Sequence, residues 1–257
     1  MLLTIDLGNT SIKLGIFENS EQKAFACFDG EFEDYRSVLL SFIFKAGLRE
    51  DQIDAAVYSC VVPKLYDKVY DAITSVVGID NIIDINPKKD YGIKLNVPNP
   101  DEVGDDIIVM CSYAYNQFRR ELLIVSMGTC SVISHVSKYG EFNHCIIAPG
   151  FSKMSETLWG NAEQLPQFEL KHPDSYFANT TIDAMNVGVF NGYIGMMSSL
   201  INGIKKEINE EVLVIGCGGL GKMAAPYLYD LDIYDPDFVT KGLNFIYENS
   251  KKWKRLF

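Results

Sequence analysis

The chain has 257 residues, and what it lacks narrows its function before any motif is read. It has no CxxC pair and no cysteine-dense stretch. Cys27, Cys60, Cys111, Cys130, Cys145 and Cys217 are scattered singly, which excludes a disulfide framework and predicts free, buried thiols in a reducing cytosol. Its three histidines, His135, His144 and His172, lack zinc-ligand spacing. His135 and His144 lie near Cys130 and Cys145 but read as polar strand residues rather than a metal cluster. Basic residues are outnumbered 23 to 34 by acidic ones, giving a net charge of −11. That argues against nucleic acid or an anionic membrane as a partner, because neither would find a broad basic face. Residues 184–204 carry no formal charge, yet Asn186, Asn191 and Asn202 interrupt them, so a buried helix is expected there rather than a membrane span. Met1 leads directly into an apolar strand without the basic region of a secretory signal.

What is present begins at Ile5-Asp6-Leu7-Gly8-Asn9-Thr10, which runs out of an apolar start and into Ile12-Lys13-Leu14-Gly15-Ile16-Phe17. The pattern reads as strand, tight turn, strand. A Walker loop or dinucleotide fingerprint would enter a helix at this point, so a phosphate-gripping hairpin of the actin type is the better match. Asp6 offers an oxygen for a metal. Gly8, Asn9 and Thr10 offer backbone N–H groups and side-chain donors for phosphate. The glycine is expected to supply a positive φ or a close backbone approach.

The same signal returns near the middle of the chain as Val125-Ser126-Met127-Gly128-Thr129-Cys130-Ser131, after the apolar run Leu122–Val125. A duplicated strand–turn–strand predicts an α/β protein of two lobes, 1–118 and 119–257, each opening on its own glycine corner with a nucleotide cleft between them. Ser126 stands where the first copy has Asp6, and a hydroxyl is a poor ligand for a hard cation.

Between the corners, helices are expected over residues 37–46, 64–77 and 107–118, with strands at 55–62 and 81–85. Asp101, Glu102, Asp105 and Asp106 crowd the start of the third helix. They serve either its dipole or, through one carboxylate, a general base or metal anchor. In the second half, helices are expected over 152–158 and 181–208. Gly188, Gly192 and Gly195 share a face of the longer one, suited equally to internal packing and to a subunit interface. The strand Val212–Ile215 leads into Gly216-Cys217-Gly218-Gly219-Leu220, a turn that either admits an adenine ring or merely reverses the chain.

Taken in order, these pieces resemble the type III pantothenate kinases of the actin-like ATPase superfamily. The likeness rests on Asp6-Leu7-Gly8-Asn9-Thr10, Ser59-Cys60-Val61-Val62-Pro63, Asn99-Pro100 with Val103-Gly104 and Asp106, Gly128-Thr129, and Ala148-Pro149-Gly150. It continues through Ala162-Glu163-Gln164-Leu165-Pro166, Thr180-Thr181 with Ala184-Met185, Gly218-Gly219-Leu220, and Gly242-Leu243 with Ile246-Tyr247. The resemblance implies a duplicated actin-like (ribonuclease H-like) fold and ATP-dependent phosphorylation of pantothenate in coenzyme A synthesis. It implies Mg²⁺ held at Asp6, a monovalent cation (K⁺ or NH₄⁺), and a cytoplasmic dimer. By the same likeness Asp106 is the catalytic base. Gly8, Asn9, Thr10, Gly128, Thr129, Gly218 and Gly219 line the ATP side, while Gly104, Asp105 and Thr181 line the substrate side.

Departures fall in the chemistry. The family pattern Gly-Ala-Asp-Arg becomes Gly104-Asp105-Asp106-Ile107, so an arginine for the substrate carboxylate is replaced by an apolar side chain and a negative charge is added. The acidic residue of the second corner becomes Ser126, and a glycine pair becomes His144-Cys145. Two alternatives follow from these changes. One is a catalytically impaired subunit that partners an active paralogous kinase. The other is a phosphotransferase acting on an alcohol without a carboxylate.

Overall fold

The computed structural model describes residues 1–160, 162 and 164–253, and these fall into two compact units. Glu163 and residues 254–257, which belong to the expected motifs and second lobe, lie outside the described residues. One unit comprises Met1–Gln117 together with Asp237–Phe257, and the other comprises Phe118–Pro236.

In the first unit the chain forms β1 (Leu2–Leu7), β2 (Ser11–Glu18), β3 (Glu21–Asp29), α1 (Tyr35–Lys45), β4 (Ala55–Cys60), α2 (Tyr66–Val77), β5 (Ile82–Asp84), the two-residue β6 (Lys94–Leu95) and α3 (Asp105–Phe118). Strands β3-β2-β1-β4-β5 form one sheet in that order, antiparallel across the first three and parallel across the last three. β1 is buried along its whole length and so is covered on both faces, although Thr4 and Asp6 interrupt its apolar residues. Leu3, Ile5 and Leu7 join one core with Tyr35, Leu39 and Ile43 of α1 and Val69 and Ile73 of α2. Thr4 and Asp6 alternate to the opposite face.

The second unit repeats this scheme. Its strands are β7 (Leu122–Met127), β8 (Cys130–Val136), β9 (Glu141–Pro149), β10 (Leu213–Cys217) and β11 (Ile233–Asp235), and its helices are α4 (Phe151–Gly160), α5 (Thr181–Ile208) and the short α6 (Gly221–Ala224). Five of the six strands of its sheet run in the order β11-β10-β7-β8-β9, parallel from β11 to β7 and antiparallel from β7 to β9. Over these five strands the first sheet is repeated, so the duplication announced by the two glycine corners is a duplication of topology. The helix expected over 181–208 is α5. Thr180 caps its start by accepting the Asp183 N–H at 3.1 Å, and Asn209 ends it in the left-handed region. Among the described residues no helix is long and apolar enough to cross a membrane.

Three features differ from expectation. β3 was not foreseen, because its sequence carries no continuous apolar run and only part of it is buried. The last helix, α7 (Phe238–Trp253), falls within the span assigned to the second lobe but packs on β1, β2 and β4 of the first unit. Gly15 admits it, since a Cβ there would stand 2.6 Å from Thr4 Oγ1 and 3.3 Å from Thr240 Cβ. All six cysteines are free, but only Cys111 and Cys217 are buried, while Cys27, Cys130 and Cys145 are exposed.

Candidate active site

Sheet register assembles the centre of the first unit. Asp6 on β1 is the direct neighbour of Lys13 on β2 and of Ser59 on β4, so the three side chains form one row across the sheet. Lys13 Nζ lies 2.8 Å from Asp6 Oδ2, and Ser59 Oγ donates to Asp6 Oδ1 at 3.2 Å. Asp6 is only 2% exposed, so its charge stands or falls with these partners. Burial alone would push the Lys13 ammonium down. The Asp6 charge and hydrogen bond, helped by Asp106, outweigh it and hold Lys13 above its ordinary range.

The start of α3 brings two further carboxylates to this row. Burial, then the nearby charge of Asp6, pushes Asp106 up to about 6, with Lys13 opposing the rise. Asp105 is also pushed up to about 6, by burial first and by Asp84, Asp106 and Asp6 as well, against the backbone N–H of Cys60 that it accepts at 3.4 Å. Gly104 makes room for the arrangement, because a Cβ there would lie 2.8 Å from Asp106 Oδ1. The crowded helix start therefore divides in two. Asp101 and Glu102 are exposed, and Glu102 accepts from Asn99 at 2.8 Å.

Each unit also carries its glycine corner. Gly8 N–H donates to Ser11 O at 2.9 Å and Gly128 N–H to Cys130 O at 3.2 Å. The second corner is one residue shorter, as the closing pairs Leu7 with Ile12 and Met127 with Ser131 require. Neither glycine has a positive φ, and a Cβ would meet only Ser11 O at 3.4 Å or Cys130 O at 3.6 Å. The turns themselves do not demand glycine, contrary to expectation. What the missing Cβ provides is open space beside backbone N–H groups.

The glycines that packing does demand stand behind the second corner. A Cβ on Gly150 would lie 2.2 Å from Thr129 O and 2.3 Å from Gly128 O. Gly218, at φ +94°, presses its backbone on Met127, and its carbonyl accepts from Tyr234 Oη at 2.7 Å. Gly150→Ala is therefore expected to cost about 1–3 kcal/mol, read as a lower urea midpoint at unchanged m-value. An unchanged midpoint would show the corner to be looser than this contact allows.

Gly219 is open, Asn9, Thr10 and Thr181 are exposed, and Thr181 is the first residue of α5. His135 is bonded to Glu121 at 2.5 Å through Nε2 and lies parallel to His144, with ring centres 6.0 Å apart. Two members of the central row, Lys13 and Ser59, were missed from sequence. The available signal was a lone lysine inside the apolar strand that follows Asp6, where a buried charge needs a partner.

A divalent ion is implied by the family resemblance. Among the described residues no three His, Cys, Asp or Glu side chains converge as a metal cage. One buried carboxylate beside a glycine corner suits Mg²⁺, which keeps waters and, in a nucleotide complex, takes most other ligands from phosphates.

Comparison with known proteins bears on family and fold. The family model described as type III pantothenate kinase matches residues 2–203. A type III pantothenate kinase from Agathobacter rectalis is 30% identical over 257 residues, covering 98% of each chain. Among solved structures, one from Campylobacter jejuni assigned to the Baf family of transcriptional activators aligns with a TM-score of 0.60 at 17% identity, covering 97% of this chain and 99% of that one. The ROK hexokinase from Thermus thermophilus aligns with a TM-score of 0.50 at 11% identity, covering 98% and 99%. These structures bear on fold alone, and with the five-strand repeat they make it a duplicated actin-like α/β fold. By the family match and by the full-length relative, the chain belongs to the type III pantothenate kinase family.

Proposed function

We propose that this chain transfers the γ-phosphoryl group of ATP to the primary hydroxyl of pantothenate, giving phosphopantothenate in the first step of coenzyme A synthesis. The observation that carries the reading is the row Lys13–Asp6–Ser59, buried at Asp6 and Ser59, with Asp106 beside it, inside a chain of this family. A primary alcohol is a poor nucleophile at neutral pH, so a base must take its proton as it attacks phosphorus. Asp106, raised to about 6, is ionised near neutrality yet more basic than an ordinary carboxylate. Lys13 presents an ammonium for the phosphoryl oxygens while neutralising Asp6. Gly8, Asn9 and Thr10 at the first corner and Gly128 and Thr129 at the second supply phosphate donors, and Gly218 and Gly219 shape the adenine side. Gly104, Asp105 and Thr181 line the acceptor side. Mg²⁺, held by Asp6 together with the phosphates, would spread the negative charge of the triphosphate.

K⁺ or NH₄⁺ completes the set of ions in this reading, which a comparison of rates in K⁺, NH₄⁺ and Na⁺ checks. Six free cysteines suit a reducing cytoplasm. The glycine face of α5 supports a homodimer: a Cβ on Gly188 or Gly195 would meet nothing within 4 Å and one on Gly192 only Met154 Cε at 3.8 Å, so packing within the described chain uses little of that face. Native mass distinguishes a homodimer from a pair with a paralogous kinase.

The direct test is incubation of the purified protein with ATP, Mg²⁺ and pantothenate, followed by mass analysis for phosphopantothenate. Absence of that product across pH 6–9 and across the three monovalent cations would refute the reading. The phosphate corner has its own check in Gly8→Ala. Because an added Cβ meets no protein atom closer than 3.4 Å, Tm is expected to hold within about 1 °C. KM for ATP is expected to rise about tenfold or more, as the methyl group occupies phosphate space. An unchanged KM would remove Gly8 from the nucleotide site.

A further inference from the structure

We propose that a cavity between β8, β9 and the last turn of α5 binds a small organic cation, an ammonium group carried on an apolar body. The inference goes beyond the kinase reading and does not depend on it.

The second unit builds this cavity by itself. It measures about 330 Å³, within the range of small-molecule sites. Sheet register sets Ile133 opposite Ile146 and His135 opposite His144, and strand alternation puts both pairs on one face. Ile204 and Ile208, from the last turn of α5, complete the apolar wall. At about 100° per residue they lie on the side of α5 away from Gly188 and Gly195, so the cavity and the glycine face are separate surfaces. It is also distant from the second glycine corner. His135 is opposite Leu123, and about 17 Å of strand separates that row from Gly128.

The polar groups decide what the cavity can hold. His135 Nε2 is bonded to Glu121 Oε1, and Glu121 Oε2 accepts the Lys138 N–H at 2.8 Å, so both carboxylate oxygens are engaged and the ring is fixed. A neutral imidazole held this way carries its proton on Nε2 and keeps Nδ1 as an acceptor. Glu207 lines the cavity from α5, and neither its carboxylate nor the His144 ring has a hydrogen-bond or ion-pair partner among the described residues. The wall thus offers a free carboxylate and imidazole nitrogens, and no lysine or arginine lines it. Cys145 adds no charge, because burial pushes its thiol up.

The surroundings keep the same sign. Lys138 is held on Glu210 and Arg120 on Glu211, while Lys205 Nζ reaches the Asp230 carbonyl at 3.5 Å. Arg119 is exposed, and Lys206 lies on the glycine side of α5. Glu141 and the Asp230 carboxylate stand against them, and the carbonyl end of α5 adds negative partial charge at its last turn. The four isoleucines suit an apolar body, and the charge that Glu207 can pair with is positive.

The experiment titrates ¹⁵N-labelled protein at pH 8 with 2-phenylethylamine, 2-phenylethanol and 3-phenylpropionate, which are similar in shape but cationic, neutral and anionic. The amide signals of residues 144–146 and 204–208 are expected to move with the amine, at a Kd of about 0.1–10 mM for so small a ligand. That Kd is expected to lie about fivefold or more below those of the alcohol and the carboxylate. Glu207→Gln removes an exposed charge that no folded contact uses, and is expected to shrink the preference for amine over alcohol about threefold or more. Signals in these two segments that stay unmoved across that concentration range overturn the proposal. So does binding of the alcohol or the carboxylate as tight as that of the amine, or a preference that survives unchanged in Glu207→Gln.

Discussion

Replacing Asp106 with asparagine is expected to lower kcat by about 10²–10⁴-fold while raising Tm. The two effects have one cause. Burial and the nearby charge of Asp6 oppose ionisation of Asp106, so its charge is a cost to the folded state and an asset to the reaction. An asparagine has the shape without the charge or the basicity. The stability gained is of order 1–3 kcal/mol, or several degrees in Tm for a chain of this size. The pH dependence follows with a definite sign. For Asp106, and for Asp105 with it, the folded pKa lies near 6, above the ordinary carboxylate value of 3.8. The native protein therefore binds more protons than the unfolded chain between about pH 4 and 6, and stability falls as pH rises through that window. Turnover moves the opposite way, rising toward a plateau above about pH 6 as Asp106 ionises. Chemical denaturation at pH 5.5 and 7.5 checks the first part, and the increment is expected to shrink in Asp106→Asn. A variant with wild-type kcat would remove Asp106 from the mechanism, and one that is less stable at both pH values would contradict the charge-cost account.

Lys13→Met carries the second large effect. The substitution keeps the aliphatic stem but strands the carboxylate of Asp6, which is 2% exposed and left with the Ser59 hydroxyl alone. Removing one partner of such a pair typically costs about 3–5 kcal/mol, because the other charge remains buried without compensation. A fall of roughly 10 °C in Tm is expected, together with loss of turnover. Asp6→Asn combined with Lys13→Met separates the two consequences. The double variant is expected to recover most of the stability, since no uncompensated charge remains, but none of the activity. If the double variant is as unstable as Lys13→Met alone, the pair is not what secures the centre of this sheet. If the single variant keeps its turnover, Lys13 does not serve the phosphoryl group.

How far these residues could be foreseen depends on the range of the interaction that defines them. The glycine corners and the duplication were legible because each is a local pattern, an apolar strand broken by Gly8 or Gly128 and resumed as a strand. Both ends of α5 were legible for the same reason, with Thr180 at one end and the polar run after Ile208 at the other. β3 was not, because a partly exposed strand without an apolar run looks like a polar connection. α7 was assigned to the wrong unit because nothing in its own sequence states which sheet it will cover. That is decided by Gly15, whose missing side chain admits Thr240 from a helix more than two hundred residues later. Asp6 and Asp106 were singled out through motif. Lys13 and Ser59 were not, since their role exists only once strand register sets them either side of Asp6. The glycine corners were found for a partly mistaken reason, as their backbones need no positive φ and the missing Cβ leaves room instead.

The central claim is that phosphate is bound at those corners, and amide resonances report it directly. With ¹⁵N-labelled protein, addition of Mg²⁺ and a non-hydrolysable ATP analogue is expected to shift the Gly8 and Gly128 N–H signals strongly, with saturation at one common Kd. Saturation of the nucleotide with both signals unmoved would contradict the account.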